Sequence, residues 1–594
     1  MNENVRSTVF STLKFNFAGK ITEMAGVKGV YVKYDGRDAV IGFDSKATEA
    51  RCYFLLAMHV TAGEETFEIT ETPAFDVCGP MLDVSRGRVM SVDGVKHFID
   101  IIVSLGMNML MLYTEDMFEL EDYPLFGYQR GRYTVAELRE IDDYADSLGV
   151  EVIPCIQTLA HLGHFLRYRE TAHFAENKTT LVPGEEHTYE LVEAEIRTVR
   201  SAFRSNKIHL GMDEAHNLGL GKYLKKHGLV PEAEIFYSHL NRVLEITRKY
   251  YPDTKPMIWS DMLFNSKYGP YSDKYILPQE IVDNAPKDVA LVYWDYYRQV
   301  EEYYDKLLTQ HARFDNEIMF AGGVWSFDGM VPNFTYTYQT MKPAMEVCLR
   351  YDIKTMIITF WASCHVSADF CQSAPGLTVF SEYCYKGAAC TDDDIFNASA
   401  FAFGVPRELY DAISDIYLGQ RGAGSFQLAA MYGDPLLNQV GNSVDYEAAV
   451  KTFEHAIEVL DRYPEYENYQ FYRDIYDFSL EKVKIYARLR PAYLAGDKAY
   501  IASVANEAIP HMIPLLEKIH AKFKEDWNKD YKQMGVQTYT MYMGAAIQRL
   551  KDVREILLNY LDGKIDHIEE LDAEVLNDIV KRWCVPYNYI TPYL

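Results

Sequence analysis

From about Pro80 to Gly387 short apolar runs alternate with amphipathic stretches, a repeat that predicts strand and helix units built around a parallel sheet. The runs lie near Met81–Val84, Asn108–Tyr113, Glu151–Pro154, Lys207–Leu210, Pro256–Trp259, Ala290–Trp294, Ile318–Gly322 and Lys354–Phe360. Eight such units predict an α/β fold, a closed (β/α)8 TIM barrel, over residues 76–394. One connecting helix carries its own start signal. In Thr134-Val135-Ala136-Glu137 the hydroxyl and the carboxylate can each satisfy a free backbone N–H of the other residue.

The pattern differs on both sides of this repeat. Residues 1–75 read as a small α+β domain: a strand near Leu13–Phe17, a hairpin from Val30 to Phe43 turned at Asp35-Gly36, a helix over Lys46–Thr61 and a strand at Thr66–Thr70. Tyr31 and Tyr34 fit the hairpin face as cross-strand packing partners. Residues 395–594 read as an α-helical domain. In Asp445–Leu460, for example, Ala449, Val450, Phe453, Ala456, Ile457 and Leu460 fall on one helical face, with Glu454 and Glu458 opposite. Pro491, Pro510 and Pro514 start or interrupt helices there, and the dense Tyr positions suit aromatic packing.

Composition narrows the function. A net charge of −27 leaves no excess of Lys and Arg to neutralise phosphates, so neither nucleic acid nor an anionic membrane is an expected partner. Nine Cys without a CxxC pair fit reduced thiols. The N-terminus, Met1-Asn2-Glu3-Asn4-Val5-Arg6, resembles neither a signal peptide nor an anchor, and a cytoplasmic protein is the expectation.

In a barrel of this kind reactive groups follow the C-terminal ends of strands. Four such ends here carry polar clusters: Asp83-Val84-Ser85-Arg86; Glu115-Asp116; Gln157 with His161 and His164; and Lys207-Ile208-His209-Leu210-Gly211-Met212-Asp213-Glu214. An isolated Asp-Glu pair is ordinarily solvated surface. At a strand end bent by Gly211, two acids can instead face one pocket, where their mutual repulsion separates their proton affinities. Arg86 offers a fork of donors for hydroxyls or a carboxylate, or pairs internally with Asp83. His209 either completes the barrel core or orients Asp213. No HExxH motif and no third ligand accompany His161 and His164, so neither metal nor cofactor is expected. The later strand ends supply Trp259 with Asp261, then Tyr293-Trp294-Asp295-Tyr296-Tyr297, then Trp325 and Trp361. Flat aromatic faces recurring at a barrel mouth suit pyranose rings, and strand parity puts Trp294 and Tyr296 on one face.

These residues resemble glycoside hydrolase family 20, the β-N-acetylhexosaminidases. His209-Leu210-Gly211-Met212-Asp213-Glu214 matches the family's fourth-strand motif, Leu82-Asp83-Val84-Ser85-Arg86 its first-strand Leu-Asp-x-x-Arg, and Ile153-Pro154 with His161 its third strand. The three-part layout, Tyr293 to Tyr297 and the stretch Trp527 to Gly535 look like the bacterial cytoplasmic exo-acting branch. The resemblance implies a retaining exo-β-N-acetylhexosaminidase acting on glycans that end in N-acetylhexosamine, with the substrate's 2-acetamido oxygen as nucleophile. It implies that Asp213 orients that group and offsets the developing charge, that Glu214 shuttles the proton, and that Tyr296 bonds the acetamido oxygen. Trp259, Trp294 and Trp325 would wall that group and Arg86 would hold the outer hydroxyls, with Glu115, Asp116, His161 and Trp361 completing the sugar site. It also allows a homodimer through the helical domain. One departure stands out. Trp361 runs into Ala362-Ser363-Cys364-His365-Val366-Ser367-Ala368-Asp369 where relatives carry Gly and acids, so His365 or Asp369 replaces them, or Asp369 caps a loop. A glycan-binding barrel without turnover is the competing reading. An aldolase- or isomerase-like barrel would need a lysine or metal site in place of the acids.

Overall fold

The structure is a computed structural model that describes residues 3–253, 255–265, 269–363, 367–419, 426–438, 441 and 444–575. The N-terminal hairpin forms where Asp35-Gly36 places it. Strands β1 (Ile21–Glu23), β2 (Val30–Tyr34), β3 (Ala39–Phe43) and β4 (Phe67–Glu71) make a sheet in the order β1-β3-β2-β4. At the β2–β3 turn Asp35 Oδ1 accepts the Arg37 and Asp38 amides, and Gly36 takes φ +97°. Helix Lys46–Thr61, capped by Ser45, packs on this sheet and buries most of its length. The strand expected at Leu13–Phe17 does not form. A helix, Glu3–Thr12, precedes that segment and buries Val5 and Val9, four residues apart, so the local period is helical. Phe15 then packs between Phe10 (5.2 Å) and Phe17 (6.3 Å) instead of joining a ladder.

The chain forms two compact units. The first takes in residues up to 323 with 338–361 and 377–398; the second takes 324–337, 362–376 and the residues from 399 onward. Two segments inside the 76–394 span, those that follow the last two barrel strands, thus belong with the second unit.

In the first unit the predicted runs become β5 (Val77–Asp83), β6 (Met109–Tyr113), β7 (Glu151–Cys155), β8 (Met257–Trp259), β9 (Ala290–Trp294), β10 (Ile318–Gly323) and β11 (Thr355–Phe360). All pair in parallel, in the order β7-β6-β5-β11-β10-β9-β8. The run at Lys207–Leu210 closes the ring, because His209 bridges Cys155 of β7 on one side and Met257 of β8 on the other. This is a (β/α)8 barrel. Alternation fills it: Met109, Met111 and Tyr113, then Ile153 and Cys155, Met257 and Trp259, Ala290 and Val292, Met319 and Ala321 share one buried core. The connecting helix Val135–Leu148 has the capping box read from Thr134 and Glu137, and ends at Gly149 with φ +84°.

The second unit is helical, with Tyr446–Leu460, Tyr469–Leu494, Ile509–Asp530 and Val536–Leu561 as its long members. Asp445 caps the first, which buries Ala449, Phe453, Ala456 and Leu460 as its period requires and leaves Glu454 and Glu458 exposed. Pro510 sits in the first turn of its helix, while Pro491 and Pro514 lie inside theirs. Trp527 is buried against Phe523, Tyr531 and Tyr539, so aromatic packing holds this part of the unit together.

Candidate active site

The fourth strand is short because its sequence turns it out of the sheet. After the His209 bridge, Gly211 and Met212 both take φ +72° and Glu214 takes φ +48°, left-handed backbone that cannot continue a ladder. Only glycine fits position 211, since a Cβ there would lie 2.3 Å from Gln157 Oε1 and 2.6 Å from the Ile156 carbonyl. Met212 and Glu214 each pay roughly 1 kcal/mol or more for the conformation. Their backbone N–H groups are held in exchange: Met212 donates to Gln157 Oε1 (3.2 Å) and Glu214 to Asp261 Oδ2 (2.9 Å). His209 serves the same turn, its Nδ1 accepting the Gly211 N–H at 3.0 Å. Burial pushes this imidazole down to about 3, so it stays neutral as a core and turn residue. The open question about His209 is answered by that bond, which goes to the backbone and leaves Asp213 to other partners.

The turn brings both acids to His161. Its Nε2 lies 3.1 Å from Asp213 Oδ2 and 3.5 Å from Glu214 Oε2. Gln157 Nε2 donates to Asp213 Oδ1 at 2.7 Å and to the Tyr113 hydroxyl at 3.0 Å. Burial opposes ionisation of Asp213, but the His161 charge and the Gln157 donor outweigh it and hold the carboxyl at about 2. Burial likewise opposes protonation of His161, yet Asp213 raises it to about 9. The two neighbours therefore differ: Asp213 is a buried, fixed anion, while the Glu214 side chain is 38% exposed.

Arg86 faces this pair from the end of β5. Its guanidinium is bonded to Asp83 Oδ2 at 3.0 Å, approaches Glu115 Oε1 at 3.5 Å, and lies over the rings of Tyr113 (5.2 Å) and Trp361 (4.9 Å). The internal Asp83–Arg86 pair and an outward role are thus compatible. Glu115, at φ +43°, is buried, and burial raises its proton affinity against the pull of Arg86 and His161. Asp116 is engaged by Arg130 and by the Gly127 amide, which ties the loop after β6 to the barrel. His164 lies beside that Arg130; burial first, then the Arg130 charge, lowers it to about 4.

Aromatic residues close the remaining sides. Trp259 is buried against His209 (4.3 Å between rings) and Trp361 (6.3 Å). Trp361 meets Tyr113 edge to face at 4.8 Å. The Trp294 and Tyr296 rings stack at 5.7 Å, on one face as parity requires, and Gly323 makes room, since a Cβ there would lie 3.2 Å from the Tyr296 ring. Burial, then Tyr297 and Glu214, keeps the Tyr296 phenol protonated. The indole N–H of Trp259 is buried with no hydrogen-bond partner among the described residues, a donor in the wall of the site, while that of Trp294 is turned to the Asp261 carboxyl.

Trp325 and Asp369 belong to the second unit. There Trp325 packs on Tyr336 and Phe327 and donates its backbone N–H to Thr337. Asp369 Oδ1 accepts the Gln372 amide at 3.1 Å, the loop-capping role. His365 lies outside the described residues. Three side chains that matter were given no role by the sequence reading: Tyr113, Gln157 and Asp261. All follow the rule used for the others, standing at or just beyond a strand end.

His161, Asp213 and Glu214 also offer ligand atoms within 4.8 Å of one another. The Asp213 carboxylate at 3.1 Å raises the proton affinity of the imidazole, so a cation bound here would have to displace that proton.

This arrangement agrees with what the chain is similar to. The glycosyl hydrolase family 20 catalytic domain matches residues 75–321, and the glycoside hydrolase 20C C-terminal domain matches residues 430–581. Hexosaminidase D of Bos taurus is 30% identical over 238 residues, covering 38% of this chain and 65% of that protein. Hexosaminidase D of Homo sapiens is 28% identical over 238 residues, 38% of this chain and 46% of that protein, so the match spans less than two thirds of either relative. Among solved structures, the chitobiase of Flavobacterium johnsoniae aligns over 96% of this chain and 89% of its own with a TM-score of 0.51 at 14% identity, a likeness of fold. With a catalytic-domain match over the barrel and a second family match over the helices, the chain belongs to glycoside hydrolase family 20.

Proposed function

We propose that the chain is a retaining exo-β-N-acetylhexosaminidase that releases terminal β-linked GlcNAc or GalNAc by substrate-assisted catalysis. The observation that carries this reading is the inequality of the two neighbouring acids: Asp213 is buried and held ionised by His161 and Gln157, and the Glu214 side chain is partly open to solvent. In the reaction the acetamido oxygen of the substrate bonds to the anomeric carbon as the glycosidic bond breaks, and Glu214 gives its proton to the departing oxygen. Asp213 accepts the acetamido N–H and stabilises the positive charge of the oxazolinium ion. Water then adds to the anomeric carbon as its bond to the acetamido oxygen breaks, the water's proton passing to Glu214, and the two inversions return the β configuration. Tyr296 donates to the acetamido oxygen, Trp259 and Trp294 wall the group, and Arg86, with Glu115, takes the outer hydroxyls. The hexosaminidase relatives support this assignment.

The test is release of chromophore from aryl β-GlcNAc and aryl β-GalNAc. Glu214→Gln should lower kcat by ~10²–10⁴-fold with a natural leaving group. Turnover of a glycoside that lacks the 2-acetamido group would remove substrate assistance, and sugar binding without turnover would favour the glycan-binding reading. We further propose the exo-acting cytoplasmic branch as the nearest setting, the described cysteines all being free thiols. Among the described residues no helix is long and apolar enough to cross a membrane. The division at 75 and 394 and pairing through the helical domain belong to the same proposal, and light scattering of the purified chain tests the pairing.

A further inference from the structure

Asp261 has no step in that mechanism, yet it grips the backbone of the proton donor. It lies just beyond β8, two residues after Trp259, and is 2% exposed. Its Oδ2 accepts the Glu214 N–H at 2.9 Å, and its Oδ1 is buried with no hydrogen-bond partner among the described residues. The charged groups that face it are Asp213 and Glu214, both acids; the Tyr271 phenol and the Trp294 indole lie on its other sides. The Trp294 indole N–H interacts with the carboxyl and favours its charged form, against the larger effects of burial and the Asp213 charge. A carboxylate in this place would be buried, without a cation, beside two more carboxylates.

We propose that Asp261 is a positioning residue for Glu214: an uncharged carboxylic acid that fixes the left-handed peptide of the proton donor without adding a third negative charge to the site. The inference deepens the hexosaminidase reading and rests on it. Glu214 stands at φ +48°, a conformation that side-chain-bearing residues seldom keep without a restraint, and the Asp261 oxygen is the restraint on its N–H. Charge neutrality matters because Glu214 has to alternate between acid and carboxylate. An ionised Asp261 would oppose each ionised phase of that cycle, whereas a neutral one accepts the same hydrogen bond at no electrostatic cost. Burial, then the Asp213 charge, raises the Asp261 proton affinity well above the usual carboxylate range, in the same sense.

An amide has the shape and the acceptor of a neutral carboxylic acid, so Asp261→Asn is the conservative variant and Asp261→Ala the disruptive one. On aryl β-GlcNAc the full chain with Asp261→Asn should keep kcat within about threefold and both limbs of the kcat/KM pH profile in place. Asp261→Ala should lower kcat by ~10²-fold with KM little changed, the scale expected when a reacting group is misplaced by about 1 Å. It should also speed hydrogen exchange at the Glu214 amide, which Asp261→Asn should leave slow. Should the Ala variant fail to fold, Asp261→Ser removes the same acceptor reach and is held to the same outcomes. Unchanged kcat in the Ala or Ser variant overturns the positioning role. An Asn variant that is as slow as Ala, or whose pH limbs move, overturns the uncharged state. If the wild type cleaves neither aryl hexosaminide, the hexosaminidase reading fails, and exchange at the Glu214 amide still decides whether Asp261 holds that peptide.

Discussion

Replacing His161 with Asn tests whether Asp213 owes its charge to one neighbour. In the folded chain the carboxyl is held at about 2 against an ordinary 3.8, with burial working in the opposite direction. Removing the imidazolium returns at least that difference, roughly 2 pKa units or about 2.5 kcal/mol, and leaves Gln157 as the only described side-chain donor to it. Counted from the imidazole, which moves from 6.5 to about 9, the same pair is worth ~3 kcal/mol, but that shift also includes Glu115, so the carboxyl end is the better measure. In the wild type Asp213 titrates too low to shape the acid limb of kcat/KM. In His161→Asn the Asp213 pKa should rise by ~2 units or more, because burial then acts unopposed, and bring its titration into the acid limb at about pH 4 to 6. Initial rates on aryl β-GlcNAc between those limits show it directly. Stability gives a second readout. The His161 pKa is raised on folding, so its stabilisation is complete below 6.5 and is lost as pH climbs through about 9; the Asp213 pKa is lowered, so its share is complete above 3.8 and is lost as pH falls through about 2. Urea unfolding of the wild type should therefore weaken by ~2 kcal/mol between near-neutral pH and pH 9 to 10, and that of His161→Asn should not. An acid limb that stays where it was in the variant would refute the reasoning, since Asp213 would then be ionised without His161.

Gly211→Ala should abolish turnover and reduce stability by at least ~1–2 kcal/mol, because its φ is +72° and the added methyl meets Gln157 Oε1 at 2.3 Å; a thermal melt and aryl hexosaminide rates measure both. Arg51 is fully buried between Glu71 and Glu382, bonded to both carboxylates. Arg51→Ala should cost ~3–5 kcal/mol in urea unfolding, since two buried acids lose their cation, while kcat per folded molecule stays unchanged, the triad lying apart from the proposed machinery.

The barrel was legible because its strands are buried on both faces and bounded by polar helices, so the apolar runs fell within a few residues of β5 to β11. The helical period of Asp445–Leu460 was equally plain. Leu13–Phe17 was misread because spaced aromatics alternate as a strand does, and the sequence alone does not show Glu3–Thr12 using them as packing partners. The acid pair was visible as a motif, but its inequality was not. It depends on Gln157, more than 50 residues away in sequence, and on His161, held at φ +57°. The same limit explains Asp261: its link to Glu214 spans 47 positions and runs through a backbone N–H, which leaves no trace in side-chain pattern.

What the fold supplies, then, is a different environment for each acid around one pocket. Asp83 and Asp116 have arginines, so their charge holds loops in place. Asp213 has an imidazolium and an amide, which hold it as an anion. Asp261 has neither cation nor solvent, and burial raises its proton affinity. Glu214 alone combines reach to solvent with a backbone fixed from outside its own strand. A group that gives a proton away and then takes one from water needs both properties. Exposure without the restraint would leave the donor misplaced, and the restraint without exposure would leave it unable to exchange its proton. The adjacency of Asp213 and Glu214 follows from this: a left-handed turn lets consecutive residues share a pocket while their carboxylates occupy sites of opposite character.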